Sequence, residues 1–312
     1  MPTGRFAPSP TGPLHVGNLR TAVLAWLFAR STRSRFLLRI DDLDRVASRE
    51  EHVRAHLDDL ARLGIDADGE ILRQSDRFDR YEAAIARLDA DGLLYPCYCT
   101  RREVQAAVTA PHGPSPEGAY PGTCRDLTAA DRAAREAEGR RPSWRVRAAG
   151  AQVEVVDRLH GPVSGVIDDF VVRRADGAPA YQVAVVVDDD AQGVGEVVRG
   201  DDLLDTTPRQ VWLARRLGLT VPAYAHVPLV LGPDGRRLAK RHGAVTLADL
   251  RSQGIGAPEI LAAMAVSLGL AAEGATVESV TDLLPGFDPR RLLREPWRFD
   301  PGTLRANDGR RM

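Results

Sequence analysis

The apolar residues of this 312-residue chain change their period as the sequence advances, and each change marks an element. TGRFA at 3–7 reads as a short first strand. PSPTGPLHVGN is too rich in Pro and Gly to continue it, and LRTAVLAWLFAR then returns Leu19, Val23, Trp26 and Leu27 at helical spacing. FLLRI at 36–40 reads as a buried strand ending on the acidic DDLD. Ser48 and Glu51 stand at capping-box spacing ahead of Val53, Leu57 and Leu60, which predicts a helix from near Ser48. Tyr81, Ile85 and Leu88 predict another from about Arg77 to Leu88, ended by Asp91-Gly92.

From about residue 93 the texture changes. LLYPCYC leads to a short helix, the Pro- and Gly-rich PHGPSPEGAYPGTC, an Ala-rich helical stretch, and β-like runs in SWRVR, QVEVVD and FVVRR. Strand and helix signals then resume with VVVDD, read as a strand end, and GVGEVVRG. The helix TTPRQVWLARRLG follows, with Thr207 as cap and Pro208 at its first position, and then the strand-like HVPLVLG. The chain thus leaves one α/β fold and returns to it. The expected division is a first half at 1–92, an inserted α+β subdomain at 93–185, a second half at 186–246 and a short helical C-terminal segment at 247–312.

Composition narrows the class without choosing a function. With 44% hydrophobic residues the chain can bury a substantial core. The 42 Lys+Arg and 43 Asp+Glu nearly cancel, so attraction to nucleic acid has to come from local basic surface. The opening MPTGRFAPSP lacks the basic and apolar blocks of a secretory signal, and no stretch approaches the ~20 apolar residues of a spanning helix. A cytoplasmic protein with no membrane partner is expected, acting as a monomer.

Three groups of residues carry candidate chemistry. His15, Gly17 and Asn18 occupy the turn between the first strand and its helix, where an imidazole, bare backbone amides and a helix N-terminus offer donors to phosphate. Arg237, Lys240 and Arg241 form a basic loop behind the Asp234-Gly235 turn, suited to following charge onto a leaving pyrophosphate. Cys97, Cys99 and Cys124 are an odd, clustered set that argues against a disulfide framework. They offer three soft ligands to zinc, with His112 or Tyr120 as a fourth. The acidic pair Asp41-Asp42 and the run Asp188-Asp189-Asp190 can bind Mg²⁺ through water, or the run is a solvated turn.

RFAPSPTGPLHVGNLRTA, LLRIDDLD, AYQVAVVVDD, VVRGDDLLDTTPRQ and RRLAKRHG together resemble the class I aminoacyl-tRNA synthetases of the glutamyl type, over nearly all of residues 3 to 246. The resemblance implies a Rossmann-like catalytic domain, with HVGN at the family's HIGH position and RLAKR at its KMSKR position. His15 and Asn18 would then hold ATP and stabilise charge at the α-phosphate, and Lys240 would follow the pyrophosphate, with Gly17, Arg237 and Arg241 completing the ATP site. Arg5, Ala7, Ser9, Asp41, Tyr181 and Arg199 match residues of the glutamate site, Arg199 facing the γ-carboxylate and Asp41 the α-amino group. The chain departs from the pattern at Asp41, where the family usually has Glu, at Val185, usually Asn, and at Gly195-Glu196 before VVRG.

About 65 residues follow the basic loop, fewer than an anticodon-reading region needs. The chain therefore resembles the short paralogues of that family, which activate L-glutamate with ATP and Mg²⁺ without tRNA and transfer it to the queuosine base of tRNA(Asp). These paralogues resemble it also in CxC and YPGTC around a zinc ion, which implies Cys97, Cys99, Tyr120 and Cys124 as the Zn²⁺ ligands. Two other readings stay open: a truncated synthetase charging the 3′ end of tRNA(Glu), and a non-catalytic tRNA-binding or regulatory protein.

Overall fold

Short strands alternating with helices build the first half of the fold. They are β1 (Gly4–Phe6), α1 (Val16–Ser31), β2 (Phe36–Ile40), α2 (Glu50–Arg62), β3 (Leu72–Arg73) and α3 (Phe78–Ala90). The computed structural model describes residues 3–108, 119–238, 242–243 and 245–304. β1 and β3 pair in parallel with either edge of β2. The sequence assigns α1 one apolar face, yet nearly every residue from Val16 to Ala29 except Gly17, Asn18 and Thr21 is buried. It shares one core with Phe36 and Leu38 of β2, Leu60 of α2 and residues far along the chain. A helix covered on all sides needs no polar face, and each large side chain so buried contributes about 1.5–3 kcal/mol.

The middle of the chain supplies β4 (Leu94–Cys97), α4 (Arg101–Val108), α5 (Ala129–Ala137), β5 (Ser143–Val146), β6 (Gln152–Asp157), β7 (Gly161–Val166) and β8 (Val171–Arg173). β4, β5 and β8 form a small antiparallel sheet with Cys97 at its end, paired to Ser143. β6 and β7 form a hairpin that joins the main sheet instead, β6 meeting a later strand through Asp157 and Tyr224.

The second half runs α6 (Tyr181–Ala191), β9 (Glu196–Gly200), α7 (Thr207–Arg216), β10 (Ala223–Val227) and β11 (Val230–Leu231), then α8 (Leu247–Ser252), α9 (Ala257–Ser267) and β12 (Trp297–Arg298). β9 and β10 are parallel, and a parallel bridge from Thr3 to Val194 sets β9 beside β1. The order β3-β2-β1-β9-β10 reverses direction between β1 and β9, the switch point where open α/β sheets bind ligands beyond the strand ends. This is a Rossmann-like class I fold. The C-terminal segment packs back on the body: β12 pairs with β11, and Arg20 of α1 bonds to Ser267 Oγ and to the carbonyls of Ser267 and Pro228.

Three local expectations are corrected. VVVDD lies within α6, where Val183 to Val186 are buried against α3 and α7, so tertiary packing overrides the strand preference of a valine run. α2 is capped at Arg49 without a side-chain bond, and the Ser48 hydroxyl has no partner, so the Ser48-Glu51 box does not form. The cap of α7 is Thr206, one residue before Thr207, with Pro208 following at the second position.

Candidate active site

At the switch point lies a cavity of about 550 Å³, within the ~300–1,000 Å³ range of small-molecule sites. Its walls include Ala7 and Ser9 beyond β1, His15, Gly17 and Asn18 at the start of α1, and Gly200 beyond β9. Asp41, Tyr181 and Arg237 complete it among the residues the sequence nominated. A second cavity, of about 1050 Å³, shares Ser9, Thr11, Asp41 and Tyr181 with the first and reaches Cys99 and Thr100 beside the small sheet.

His15 caps α1 and lines the cavity at once. Its Nδ1 accepts hydrogen bonds from the backbone N–H of Gly17 (3.1 Å) and Asn18 (3.3 Å), while Asn18 Oδ1 accepts from the His15 N–H at 3.1 Å. An Nδ1 that accepts carries no proton, so the neutral ring bears its proton on Nε2, as a donor. Glycine at 17 leaves room for the cap: a Cβ there would stand 3.0 Å from the imidazole and 3.4 Å from Val230, and would press on the ring. Burial, and then Arg237, push the His15 pKa below the ordinary histidine value. The neutral cap is therefore fully stabilising above about pH 6.5 and is lost as pH falls from there through the lowered value. An NMR titration of the ring is expected to give a midpoint below that of a free histidine; a midpoint at or above it would refute the cap.

Lys240 and Arg241 lie outside the described residues, but both flanks of their loop are placed. Leu238 is buried, Val16 N–H donates to Val245 O at 2.8 Å, and His15 bridges Thr246. The flank that follows the loop is thus clamped to the start of α1. Arg237 pairs with Asp202, a cavity residue inside VVRGDDLLD that the sequence reading did not nominate. Gly232, at the base of the Asp234-Gly235 turn, faces His242 so closely that a Cβ would lie 2.6 Å from its ring.

Arg5 and Arg199 stand behind the cavity rather than on its lining, each only 5% exposed. Arg5 donates to both oxygens of Asp189, at 3.2 and 3.4 Å. Asp189 also receives Arg39 at 2.6 Å, and Arg39 in turn holds Asp41 at 2.7 Å. Burial pushes the Asp189 carboxyl up, but Arg5 and Arg39 together bring it below the ordinary range. For Asp41 burial wins, and its carboxyl lies above that range, where an arriving ammonium would help hold it ionised. Among the described residues the hydrogen-bond partners of Arg199 are all neutral: His226 Nε2 at 3.0 Å, Gln210 Oε1 at 2.7 Å and Thr207 Oγ1 at 2.8 Å. Burial depresses its pKa.

The acidic groups nominated for Mg²⁺ are engaged elsewhere. Asp42 accepts from the Ser75 N–H and hydroxyl. Asp188 accepts from Gln74, Arg77 and Tyr81, and Asp190 from the Thr220 N–H. The aspartate run is neither a solvated turn nor a free cation site. It is the polar edge of a buried helix.

The three thiols converge as expected. Their sulfurs all lie within 4.8 Å of one another, with Cys99 and Cys124 3.5 Å apart. The Tyr120 hydroxyl stands 3.3 Å from Cys97 Sγ and 3.6 Å from Cys99 Sγ, and accepts the Cys124 N–H at 2.9 Å. Four ligands around tetrahedral zinc stand roughly 3.5–3.8 Å from one another, so this donor set fits the ion. The Arg145 guanidinium lies 3.7 Å above the Tyr120 ring, yet burial and then the three thiols push the phenol's pKa up, so a phenolate here would need the charge of the metal itself. His112 lies outside the described residues.

The family of class I tRNA synthetases (E and Q), catalytic domain, matches residues 3–305. The chain belongs to this family. It is 59% identical over 306 residues to a glutamyl-Q tRNA(Asp) synthetase of Nocardia farcinica, covering 98% of this chain and 96% of that one. With a glutamyl-Q tRNA(Asp) synthetase of Symbiobacterium thermophilum the identity is 49%, over 99% of both chains. Its place is in this branch of the family. A glutamate tRNA ligase from Elizabethkingia meningosepticum, solved in complex with its amino acid, superposes with a TM-score of 0.80 at 25% identity, over 96% of this chain and 67% of its own. Among the described residues no helix is long and apolar enough to cross a membrane.

Proposed function

We propose that the chain activates L-glutamate with ATP, without tRNA, and transfers the glutamyl group to the queuosine base of tRNA(Asp). The observation that carries this reading is the full-length match to glutamyl-Q tRNA(Asp) synthetases, together with a switch-point cavity walled by the helix start that caps on His15.

In the first step a glutamate α-carboxylate oxygen attacks the ATP α-phosphorus as the bond to the β-phosphate oxygen breaks. Glutamyl-adenylate forms and pyrophosphate leaves. The His15 Nε2–H, the Asn18 amide and the first backbone N–H groups of α1 meet the charge that builds on the α-phosphate oxygens. Gly17 lets the nucleotide approach. Arg237, Lys240 and Arg241 take the pyrophosphate side, and Lys240 follows the leaving group. Asp41 and Ser9 orient the α-amino end, Ala7 and Tyr181 wall the site, and Arg5 and Arg199, buried behind that lining, set the side-chain end. Mg²⁺ arriving with ATP neutralises its phosphates, and no residue of the chain is assigned to it. In the second step a hydroxyl of the queuosine base attacks the carbonyl, and AMP leaves. The larger cavity between Ser9, Asp41, Tyr181 and Cys99 is the route for that acceptor. Cys97, Cys99, Tyr120 and Cys124 would hold Zn²⁺, which as a structural ion would fix the outer wall of the route.

Incubation with labelled glutamate and ATP is expected to label tRNA(Asp) carrying queuosine and to leave unmodified tRNA(Asp) and tRNA(Glu) unlabelled. Label at the 3′ end of tRNA(Glu) would overturn the acceptor and leave the activation step standing. No pyrophosphate exchange with glutamate would overturn both.

A further inference from the structure

The hairpin of β6 and β7 is remote in sequence from every element of the active site, yet it delivers one charged group to it. The register that pairs Asp157 with Tyr224 sets the Asp157 carboxylate beside His226, two residues further along β10. Both side chains are fully buried. Asp157 Oδ2 receives His226 Nδ1 at 2.7 Å and the His226 N–H at 3.0 Å, while its Oδ1 receives the N–H of Leu159 (2.9 Å) and His160 (3.0 Å). On its other edge the imidazole meets two groups: Arg199, whose Nε donates to His226 Nε2 at 3.0 Å, and the Thr207 hydroxyl, also 3.0 Å from that nitrogen. The Tyr224 ring stacks on His226 with 13° between planes and lies 5.3 Å from the Arg199 guanidinium.

These contacts leave one protonation pattern. Arg199 is a donor only, so His226 Nε2 has to be bare, and the single proton of the neutral ring then sits on Nδ1, where Asp157 accepts it. Four N–H groups hold Asp157 ionised against its burial. With the proton moved to Nε2, it would face the Arg199 N–H and have only the Thr207 hydroxyl to go to, while the bare Nδ1 and the Asp157 carboxylate would face each other as two acceptors. Thr207 and Gln210 receive the two terminal nitrogens of Arg199, so the guanidinium plane is fixed by three acceptors. Only the first of these depends on a tautomer.

We propose that Asp157 and His226 are positioning residues for amino-acid recognition: Asp157 selects the His226 tautomer that accepts from Arg199 Nε, and thereby aims the Arg199 terminal N–H groups at the ligand carboxylate. The proposal rests on Arg199 binding the glutamate side chain, as above. Neither residue touches substrate, and both are absent from the motifs that carry the family resemblance.

Pyrophosphate exchange tests it. Asp157→Asn removes the obligatory acceptor, and the KM for glutamate is expected to rise about tenfold, with kcat and the KM for ATP within about twofold. His226→Gln supplies an amide oxygen whose acceptor character needs no neighbour, and is expected to raise the glutamate KM by no more than about threefold. In that background Asp157→Asn should add less than about twofold. An equal loss in both backgrounds, or a parallel rise in the KM for ATP, would make Asp157 a support of the hairpin turn only and overturn the proposal. Nitrogen-15 NMR gives a readout free of activity: wild-type His226 should be neutral with its proton on Nδ1. A proton on Nε2 overturns the relay even if exchange is normal. Absence of exchange with glutamate in the wild type would instead sink the assigned substrate, with the tautomer signal still deciding the relay.

Discussion

Arg199→Gln is expected to lower kcat/KM for glutamate in pyrophosphate exchange by roughly a hundred- to a thousandfold, about 3–4 kcal/mol at ~1.4 kcal/mol per decade. The guanidinium is buried, carries full charge, and among the described residues has no carboxylate within ion-pairing distance. Asp189, the carboxylate whose charge bears on Arg199, is committed to Arg5 and Arg39. Such a cation is held in readiness for an anion that comes with the ligand, because neutral acceptors satisfy its hydrogen bonds without compensating its charge. Glutamine at this position loses the charge and the fork that grips a carboxylate, so preference for glutamate over glutamine should shrink with the same substitution. The KM for ATP should change less than about threefold, since the phosphate donors at the start of α1 make no bond with Arg199. A uniform loss in both substrates would remove Arg199 from substrate recognition.

That prediction also marks where sequence reading reached its limit. β1, β2 and α1 follow from local pattern, because apolar runs of strand and helix length bounded by Pro- and Gly-rich turns are legible even where burial is complete on every side. His15, Gly17 and Asn18 were legible since they share one turn, and the structure puts all three on one cavity wall. α6 was not, because valine runs favour strands unless packing on several sides decides otherwise, and here α3 and α7 do decide. Its aspartates looked like ligands from composition alone. Their partners Arg5, Arg39, Arg77 and Tyr81 are each more than 100 residues away, and no short-range pattern announces such a network. Asp157 and His226 escaped for the same reason: they meet only because a hairpin joins the parallel sheet at β10. Asp202 did sit in a quoted motif, and its place just beyond the end of β9 at the switch point was the signal that could have found it.

Removing the metal from the cysteine cluster is expected to cost the second largest effect, and to divide the two half-reactions. Tyr95, Cys97, Tyr98, Tyr120 and Cys124 form a small core of their own, next to three short strands. Val146 of β5 and Val172 of β8 tie the small sheet to the neighbouring core, but the cysteine end rests on five side chains that bury little apolar surface by themselves, so on the zinc reading ligation holds that end. Chelation, or Cys124→Ala, should therefore produce a separate unfolding transition roughly 10 °C or more below that of the body, at a few degrees per kcal/mol. Elemental analysis of the untreated chain should find about one zinc per molecule. Below that transition, pyrophosphate exchange should persist, because His15, Asp41 and Arg199 are carried by the main sheet and its helices. Transfer to queuosine-bearing tRNA(Asp) should be lost, because Cys99 and Thr100 form the far wall of the cavity through which the acceptor reaches Ser9 and Tyr181. Loss of both reactions together would mean that the small sheet also supports the activation site. Retention of both would mean that the thiols pack as ordinary buried side chains, the alternative that three cysteines always leave open.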